Sequence, residues 1–209
     1  MIPKDVAPIA SGAEADIFET EFLGRKAVMK VRSPKKYRHP ELDEHIRTAR
    51  IRSEVRLMKD AREAGVRTPI IYDLDLKDCS ITMEYVNGNK MKDVLDKNPD
   101  KAYKLCEMIG TAMANLHNAR ICHGDLTTSN MILTEKGELC LIDFSMGGSL
   151  IEVEDMGVDI RLLERAFASA HPGLEDAYAH LLDTYSKRKT NVREVMEKVE
   201  EIKGRGRYT

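Results

Sequence analysis

Eight residues near the middle of the chain, His123-Gly124-Asp125-Leu126-Thr127-Thr128-Ser129-Asn130, read as a polar loop between an apolar helix and a short strand. Thirteen residues beyond Asn130, a second strand, Leu139-Cys140-Leu141-Ile142, ends in Asp143-Phe144-Ser145. Taken singly, each polar stretch is also what an ordinary turn is made of. Their order and hairpin-sized spacing allow Asp125, Asn130 and Asp143 to converge on one spot. An Asp placed to take a hydroxyl proton, with an Asn and an Asp able to hold Mg2+ against a nucleotide, is the minimum set for phosphoryl transfer.

The 209 residues suffice for one large domain or for two lobes sharing a cleft, with a substantial core. A charged fraction of 33% and a mean hydropathy of -0.41 leave no apolar run long enough to cross a membrane. Met1-Ile2-Pro3-Lys4-Asp5 has no basic-then-apolar signal pattern, so the expected location is cytoplasmic, with no membrane partner. Cys79, Cys106, Cys122 and Cys140 never form a Cys-x-x-Cys pair and are expected to be reduced, half-buried side chains. From Lys30 to Arg62 there are eleven Lys/Arg against five Asp/Glu, a window of +6 in a chain of net charge -2. Such a patch attracts phosphates or RNA, although a charge-rich helix is more often simply solvated.

Strands are predicted at Val6–Ala10, Ala15–Thr20 and Lys26–Val31, the first two separated by Ser11-Gly12-Ala13-Glu14. A small-residue loop between strands lets backbone N–H groups approach phosphates, and Lys30, ending the third strand, could reach the same phosphates. A lone Lys directed into a core needs an anion. After a Pro- and Lys-rich linker, a long helix is expected from about Leu42 to Ala64, closed by Gly65. Ile51, Glu54, Leu57, Met58 and Ala61 share one face of it, so Glu54 is a carboxylate set in an apolar stripe. Its partner is Lys30 or, four residues earlier, Arg50.

Two further strands, Pro69–Leu76 and Ser80–Val86, precede a break at Asn87-Gly88-Asn89, beyond which the pattern is helical. Helices are expected at Met91–Asp96 and at Ala102–Asn118, the latter with an apolar stripe of Leu105, Ile109, Ala112, Met113 and Leu116. After the central loop and hairpin, three more run from about Gly157 to Ala170, Gly173 to Ser186 and Asn191 to Lys203. The terminal Gly204-Arg205-Gly206-Arg207 alternation reads as a frayed tail, or as guanidinium groups laid on phosphates.

In this order, the loop Ser11–Glu14, Lys30, Glu54, the stretch Met83–Val86, Asp125 with Asn130, and Asp143 resemble the ordered signature of the protein-kinase fold. The resemblance implies an α+β class: a minimal bilobal kinase-like fold with a β-rich N-lobe over 1–86, a helical C-lobe over 87–203 lacking an activation segment, and a basic tail over 204–209. Ser11-Gly12-Ala13-Glu14-Ala15, His123–Asn130, Glu164-Arg165-Ala166-Phe167 and the Gly-Arg-Gly-Arg end resemble more closely the small atypical kinase subunit of the KEOPS complex, a RIO-kinase-related branch of archaea and eukaryotes. That implies an enzyme using ATP and Mg2+, autophosphorylating on Ser or Thr when isolated. Within its complex it acts as an ATPase beside the tRNA-threonylcarbamoyl transferase, with the other KEOPS subunits and tRNA as partners.

Carried over by position, the resemblance makes Asp125 the catalytic base or orienter and gives Mg2+ to Asn130 and Asp143. Lys30 grips the α and β phosphates and is held by Glu54. Ser11, Gly12, Ala13 and Glu14 form the phosphate loop, and Glu84 and Val86 present hinge backbone to adenine. His123 is expected to prop the loop against Phe144, and Asp159 to brace it from a helix.

The departures carry information too. Gly124 stands where regulated kinases have an Arg, so control by a phosphorylated activation loop is not expected. Thr127 replaces a Lys that many Ser/Thr kinases place on the transferring phosphate, which predicts slow transfer. Ser145 follows Asp143-Phe144 where Gly is usual, which lowers backbone freedom. Only Met146 to Val158 separate that point from Asp159, and no Ala-Pro-Glu occurs, so a peptide platform is not expected. Two other readings fit parts of this pattern: a non-catalytic nucleotide-binding adaptor, and a small-molecule phosphotransferase. The basic helix face from Arg47 to Arg62 is a candidate surface for tRNA or a neighbouring subunit.

Overall fold

A computed structural model describes residues 7–205. The chain forms two compact units: one takes the chain through Arg56 together with Pro69–Val86, the other Leu57–Thr68 and the chain from Asn87 on. The class is α+β. Among the described residues no helix is long and apolar enough to cross a membrane.

The first unit is an antiparallel sheet of five strands in the order β1-β2-β3-β5-β4: β1 (Ala10–Ser11), β2 (Asp16–Phe22), β3 (Arg25–Val31), β4 (Ile71–Asp75) and β5 (Ser80–Glu84). Alternation places Ala27, Met29 and Val31 on one face of β3, where Phe18, Met29 and Val31 cluster, while Ile81 and Met83 of β5, opposite Lys30 and Val28, are buried on the other face. Two expectations shift. The first strand is confined to Ala10–Ser11, with Met1–Val6 outside the described residues, and the fourth begins at Ile71 rather than Pro69, because Pro69 has no N–H for the ladder.

Helix α1 (Pro40–Glu63) starts with Pro at its first position and ends where Gly65, at φ 81°, turns the chain. There Gly65 N–H bonds the Arg62 carbonyl and Val66 N–H the Ala61 carbonyl, at 3.0 and 2.9 Å, a Schellman closure with Ala61 and Val66 both buried. Ile51, Glu54, Leu57, Met58 and Ala61 are buried along it, as the spacing predicts.

The second unit holds α2 (Met91–Lys97), α3 (Ala102–Asn118), α4 (Val153–Ala170), α5 (Glu175–Arg188) and α6 (Val192–Arg205). It also holds β6 (Gly88–Lys90), β8 (Met131–Thr134) and β9 (Leu139–Leu141) as one small sheet, and β7 (Ile121–Cys122) paired with β10 (Gly148–Ser149). Helices α3 and α5 approach closely at Gly110, where a Cβ would sit 2.4 Å from the Leu181 carbonyl oxygen. The buried stripe of α3 therefore runs Leu105, Cys106, Ile109, Gly110, Met113 and Leu116, with Ala112 at its margin.

Helix α4 begins at Val153, four residues before the expected start. Glu152 and Asp155 form a reciprocal capping box there, a device open to Glu as well as to the usual Ser or Thr. At the other end of the chain Gly204 and Arg205 continue α6, and Arg205 bonds Glu154 at 2.6 Å, so these two residues of the expected tail are helical. The remaining four lie outside the described residues. None of the four cysteines is in a disulfide, and burial pushes the Cys106 thiol up to about 12 and that of Cys122 up to about 11, which keeps both protonated and inert.

Candidate functional site

In the first unit the residues expected around a nucleotide lie on β1, β3, α1 and β5. Lys30 is 5% exposed at the end of β3, and its Nζ donates to Glu54 Oε1 at 2.6 Å. Of the two partners spacing allowed for Glu54, the structure selects Lys30, because Arg50 bonds Glu14 instead. Arg32, which the sequence reading left out, donates Nη2 to Glu54 Oε2 at 2.7 Å and is 2% exposed. One buried carboxylate thus serves two buried cations.

Of the residues expected in the phosphate loop, Ser11 ends β1, and Gly12, Ala13 and Glu14 lie in the loop after it. Ser11 Oγ bonds Asp16, the Ala13 carbonyl accepts Lys35 Nζ at 2.7 Å, and Glu14 takes Arg50 and, at 3.4 Å, Arg32. A Cβ on Gly12 would lie 3.6 Å from the Ala15 carbonyl, an ordinary contact, so nothing among the described residues requires glycine there. The space this leaves suits an approaching phosphate. Glu84 closes β5, with its N–H on the Ile70 carbonyl and its carboxylate on Ile70 N–H. Val86, half-buried, lies past β5, so its backbone groups stand outside the ladder.

In the second unit a hairpin brings the three polar positions together. Strands β8 and β9 pair with Met131 opposite Leu141, turned by Gly137 at φ 78°, and Ile142 N–H bonds the Asn130 carbonyl at 3.0 Å. Asn130, just before β8, and Asp143, just after β9, therefore sit at the same open end. Asn130 Nδ2 donates to the Asp125 carbonyl at 2.9 Å and to Asp125 Oδ2 at 2.8 Å, which directs its Oδ1 acceptor elsewhere. Asp125 is exposed. Asp143 has φ 64°, a conformation that Asp tolerates better than most residues.

Ser145 bonds the Asp143 carboxylate twice, through Oγ and through N–H at 3.3 Å. The residue that replaces glycine therefore fixes the metal-type Asp, a role that the loss of backbone freedom alone did not reveal. Among the described residues no three His, Cys, Asp or Glu side chains gather as a metal cage. An Asn and an Asp with oxygen donors fit a Mg2+ ion, which takes one or two carboxylates and completes its shell with phosphate and water.

The loop is held from behind. Asp159, 1% exposed on α4, accepts His123 N–H on Oδ2 and Gly124 N–H on Oδ1, both at 2.9 Å. His117 Nε2 reaches Oδ2 at 3.4 Å, and the Tyr185 hydroxyl lies 2.9 Å from His117 Nδ1. On the other side of the loop Thr128 Oγ1 meets His171 Nε2 at 2.9 Å, and His171 Nδ1 meets Asp96 at 2.7 Å. None of these three partners, His117, Tyr185 and His171, was singled out from sequence. A His in an apolar helix stripe gives no signal of what it touches.

Gly124 has φ 77°, and a Cβ there would lie 2.0 Å from the Met146 carbonyl oxygen. The chain between Asp143 and α4 is folded directly onto the loop, its β10 paired with β7. Any side chain at 124 is thus blocked by backbone, a steric reason for the absent arginine.

His123 is buried, with Nε2 donating to the Ile142 carbonyl at 3.1 Å and the ring against Phe144, centroids 4.5 Å apart. Burial drives its pKa below 6.5, outweighing the nearby carboxylates. For Asp159 burial pushes the pKa up, but the bonds from His117 and the loop amides outweigh it and hold the carboxyl below 3.8. The unfolded chain therefore takes up a His123 proton first, so stability should fall with pH from about 6.5, at up to about 1.4 kcal/mol per pH unit. Asp159 adds a second loss below about pH 4, as its stabilising charge is removed. Urea unfolding between pH 7.5 and 5.5 should show the first limb in the wild type and a shallower one in His123→Gln. Equal slopes would assign it to another group.

The expected nucleic-acid face is only partly available. Arg47 bonds Asp43 and the Arg32 carbonyl, Arg50 bonds Glu14, and Arg62 bonds the Thr68 carbonyl, while Arg52 and Arg56 are exposed.

Residues 11–163 match the protein kinase domain family. The chain is 40% identical to the KEOPS complex subunit Bud32 of Pyrococcus abyssi, over 96% of this chain and 95% of that protein. It is 37% identical to the EKC/KEOPS complex subunit bud32 of Dictyostelium discoideum, over 95% of this chain and 82% of that one. A probable bifunctional tRNA threonylcarbamoyladenosine biosynthesis protein of Methanothermobacter thermautotrophicus is 39% identical over the whole chain, which spans 37% of its length. With a kinase match over most of its length and full-length likeness to Bud32 proteins, the chain belongs to the protein kinase domain family, in its KEOPS Bud32 branch.

Proposed function

We propose that this chain is an atypical MgATP-dependent Ser/Thr protein kinase and ATPase, serving as the kinase subunit of a KEOPS complex in threonylcarbamoyladenosine modification of tRNA. The observation that carries the chemistry is the hairpin end that presents Asn130 and Asp143 beside Asp125, its carboxylate oriented by Asn130. The biological role is supported by likeness to proteins named for that complex and that modification.

Bound MgATP supplies the transferable phosphoryl group and the charge that neutralises it. Each residue then has one task. Lys30, fixed by Glu54, binds the α and β phosphates; Ser11, Gly12, Ala13 and Glu14 enclose them; Glu84 and Val86 offer backbone groups to adenine. Asn130 and Asp143 hold Mg2+, with Ser145 fixing the Asp143 carboxylate. Asp125 orients the attacking hydroxyl or water and takes its proton. Thr127 adds no positive charge to the transition state, so turnover is slow without a partner. In this reading residues 1–86 form the nucleotide lobe, 87–203 the catalytic lobe and 204–209 a basic tail, in a cytoplasmic protein that autophosphorylates when alone.

A second reading, a nucleotide-binding adaptor, draws on Thr127 and on the short segment folded onto Gly124. Mixing the purified chain with its tRNA-threonylcarbamoyl transferase, with and without tRNA, distinguishes the two. The enzyme reading expects complex formation and faster ATP hydrolysis. Complex formation with no hydrolysis above the transferase alone would favour the adaptor, and no complex would count against the KEOPS assignment.

A further inference from the structure

The phosphate loop, residues 12–15, contains one glycine and one internal backbone bond, from Gly12 N–H to the Ala15 carbonyl at 3.0 Å. It is otherwise held by charges of its own unit. Lys35 Nζ donates to the Ala13 carbonyl at 2.7 Å, and Arg50 on α1 bonds the Glu14 carboxylate. Arg32 Nη1 reaches the same Glu14 oxygen at 3.4 Å, while its Nη2 holds Glu54, which in turn holds Lys30. Arg50, Glu14, Arg32, Glu54 and Lys30 thus form a chain of alternating sign running from α1 through the loop to the end of β3.

The two ends of that chain differ in solvation. Glu54, Arg32 and Lys30 are buried, whereas Arg50 is 37% and Glu14 41% exposed at the side chain. An ion pair as wet as Arg50–Glu14 adds little to stability. Its effect is on where the loop sits. We infer that Arg50 and Lys35 are positioning residues for nucleotide phosphates: they clasp the loop through Glu14 and the Ala13 carbonyl, and Arg32 joins this clasp to the Lys30–Glu54 pair. The inference rests on the MgATP reading above. A loop fixed in place before binding loses less freedom when the phosphates arrive, and that gain appears as affinity. Arg50 is then committed to the loop rather than offered to tRNA.

The test measures binding of MgATP and of adenosine by calorimetry in the wild type, Arg50→Gln, Glu14→Gln and the double variant, with melting temperatures alongside. Each single variant should bind MgATP about three- to fivefold more weakly, roughly the upper end of what an exposed ion pair is worth. Adenosine affinity and melting temperature should be unchanged, and the double variant should bind no more weakly than the weaker single one. The gap from wild type should narrow in 0.5 M salt, roughly the condition in which exposed pairs are screened. Wild-type MgATP affinity in the single variants, losses that multiply in the double variant, or an equal loss of adenosine would each overturn the clasp. If either glutamine variant melts early, Lys35→Gln provides the same comparison through the Ala13 carbonyl. A wild type that binds neither ligand would refute the nucleotide reading itself, which separates that failure from failure of the clasp.

Discussion

Replacing Asp159 by Ala should destabilise the protein by ~3–5 kcal/mol, a large share of the stability of a typical domain. The carboxylate accepts two backbone N–H groups, from His123 and Gly124, and lies beside the His117 ring. Asp159, His117 and His123 are buried and Gly124 half-buried, so deletion leaves donors with little access to water, each costing ~1–3 kcal/mol before the structure relaxes. Asp159→Asn keeps one acceptor oxygen but turns an NH2 group toward an amide N–H, and should recover at most part of the loss. Urea unfolding of the three proteins provides the check. A loss below ~1 kcal/mol for Asp159→Ala would show that other contacts set the loop.

Glu54→Ala should be about as costly, for an electrostatic reason. It removes the buried carboxylate that bonds both Lys30 and Arg32, which are 5% and 2% exposed, and leaves Arg32 with the longer, 3.4 Å contact to Glu14. Breaking a buried ion cluster by deleting one partner costs ~3–5 kcal/mol, whereas replacing all its members with apolar groups of like volume is often neutral. The triple variant Lys30→Met, Arg32→Met, Glu54→Leu should therefore fold with stability near wild type while losing MgATP binding. That contrast assigns the buried charges to nucleotide handling rather than to fold stability. A triple variant as unstable as Glu54→Ala would contradict the assignment.

What the chain reveals before folding depends on how local the physics is. The face of α1 that includes Glu54 follows from steps of three and four, and the central hairpin from two short apolar runs around a Gly-containing turn. The partner of Glu54 was narrowed to two residues by spacing and fixed only by tertiary structure, which sent Arg50 to Glu14 and added Arg32. Ser145 and Gly124 were legible as departures from a family pattern, but not as the contacts they make. One bonds Asp143, and the other lies under the Met146 carbonyl. His117 and Tyr185 are 68 residues apart, and nothing in either helix marks them as partners. The start of α4 was misplaced because a Glu–Asp capping box carries a weaker sequence signal than one built on Ser or Thr.

We propose that Asp125, Asn130 and Asp143 together perform phosphoryl chemistry on MgATP. Turnover of ATP labelled at the γ-phosphate, followed for the wild type, Asp125→Ala and Asp143→Ala under one Mg2+ concentration, tests it most directly. Expected are slow but measurable turnover by the wild type, a fall on the order of 10²–10⁴-fold in Asp125→Ala with MgATP still bound, and loss of both turnover and Mg2+-dependent binding in Asp143→Ala. Equal hydrolysis by all three proteins would contradict it.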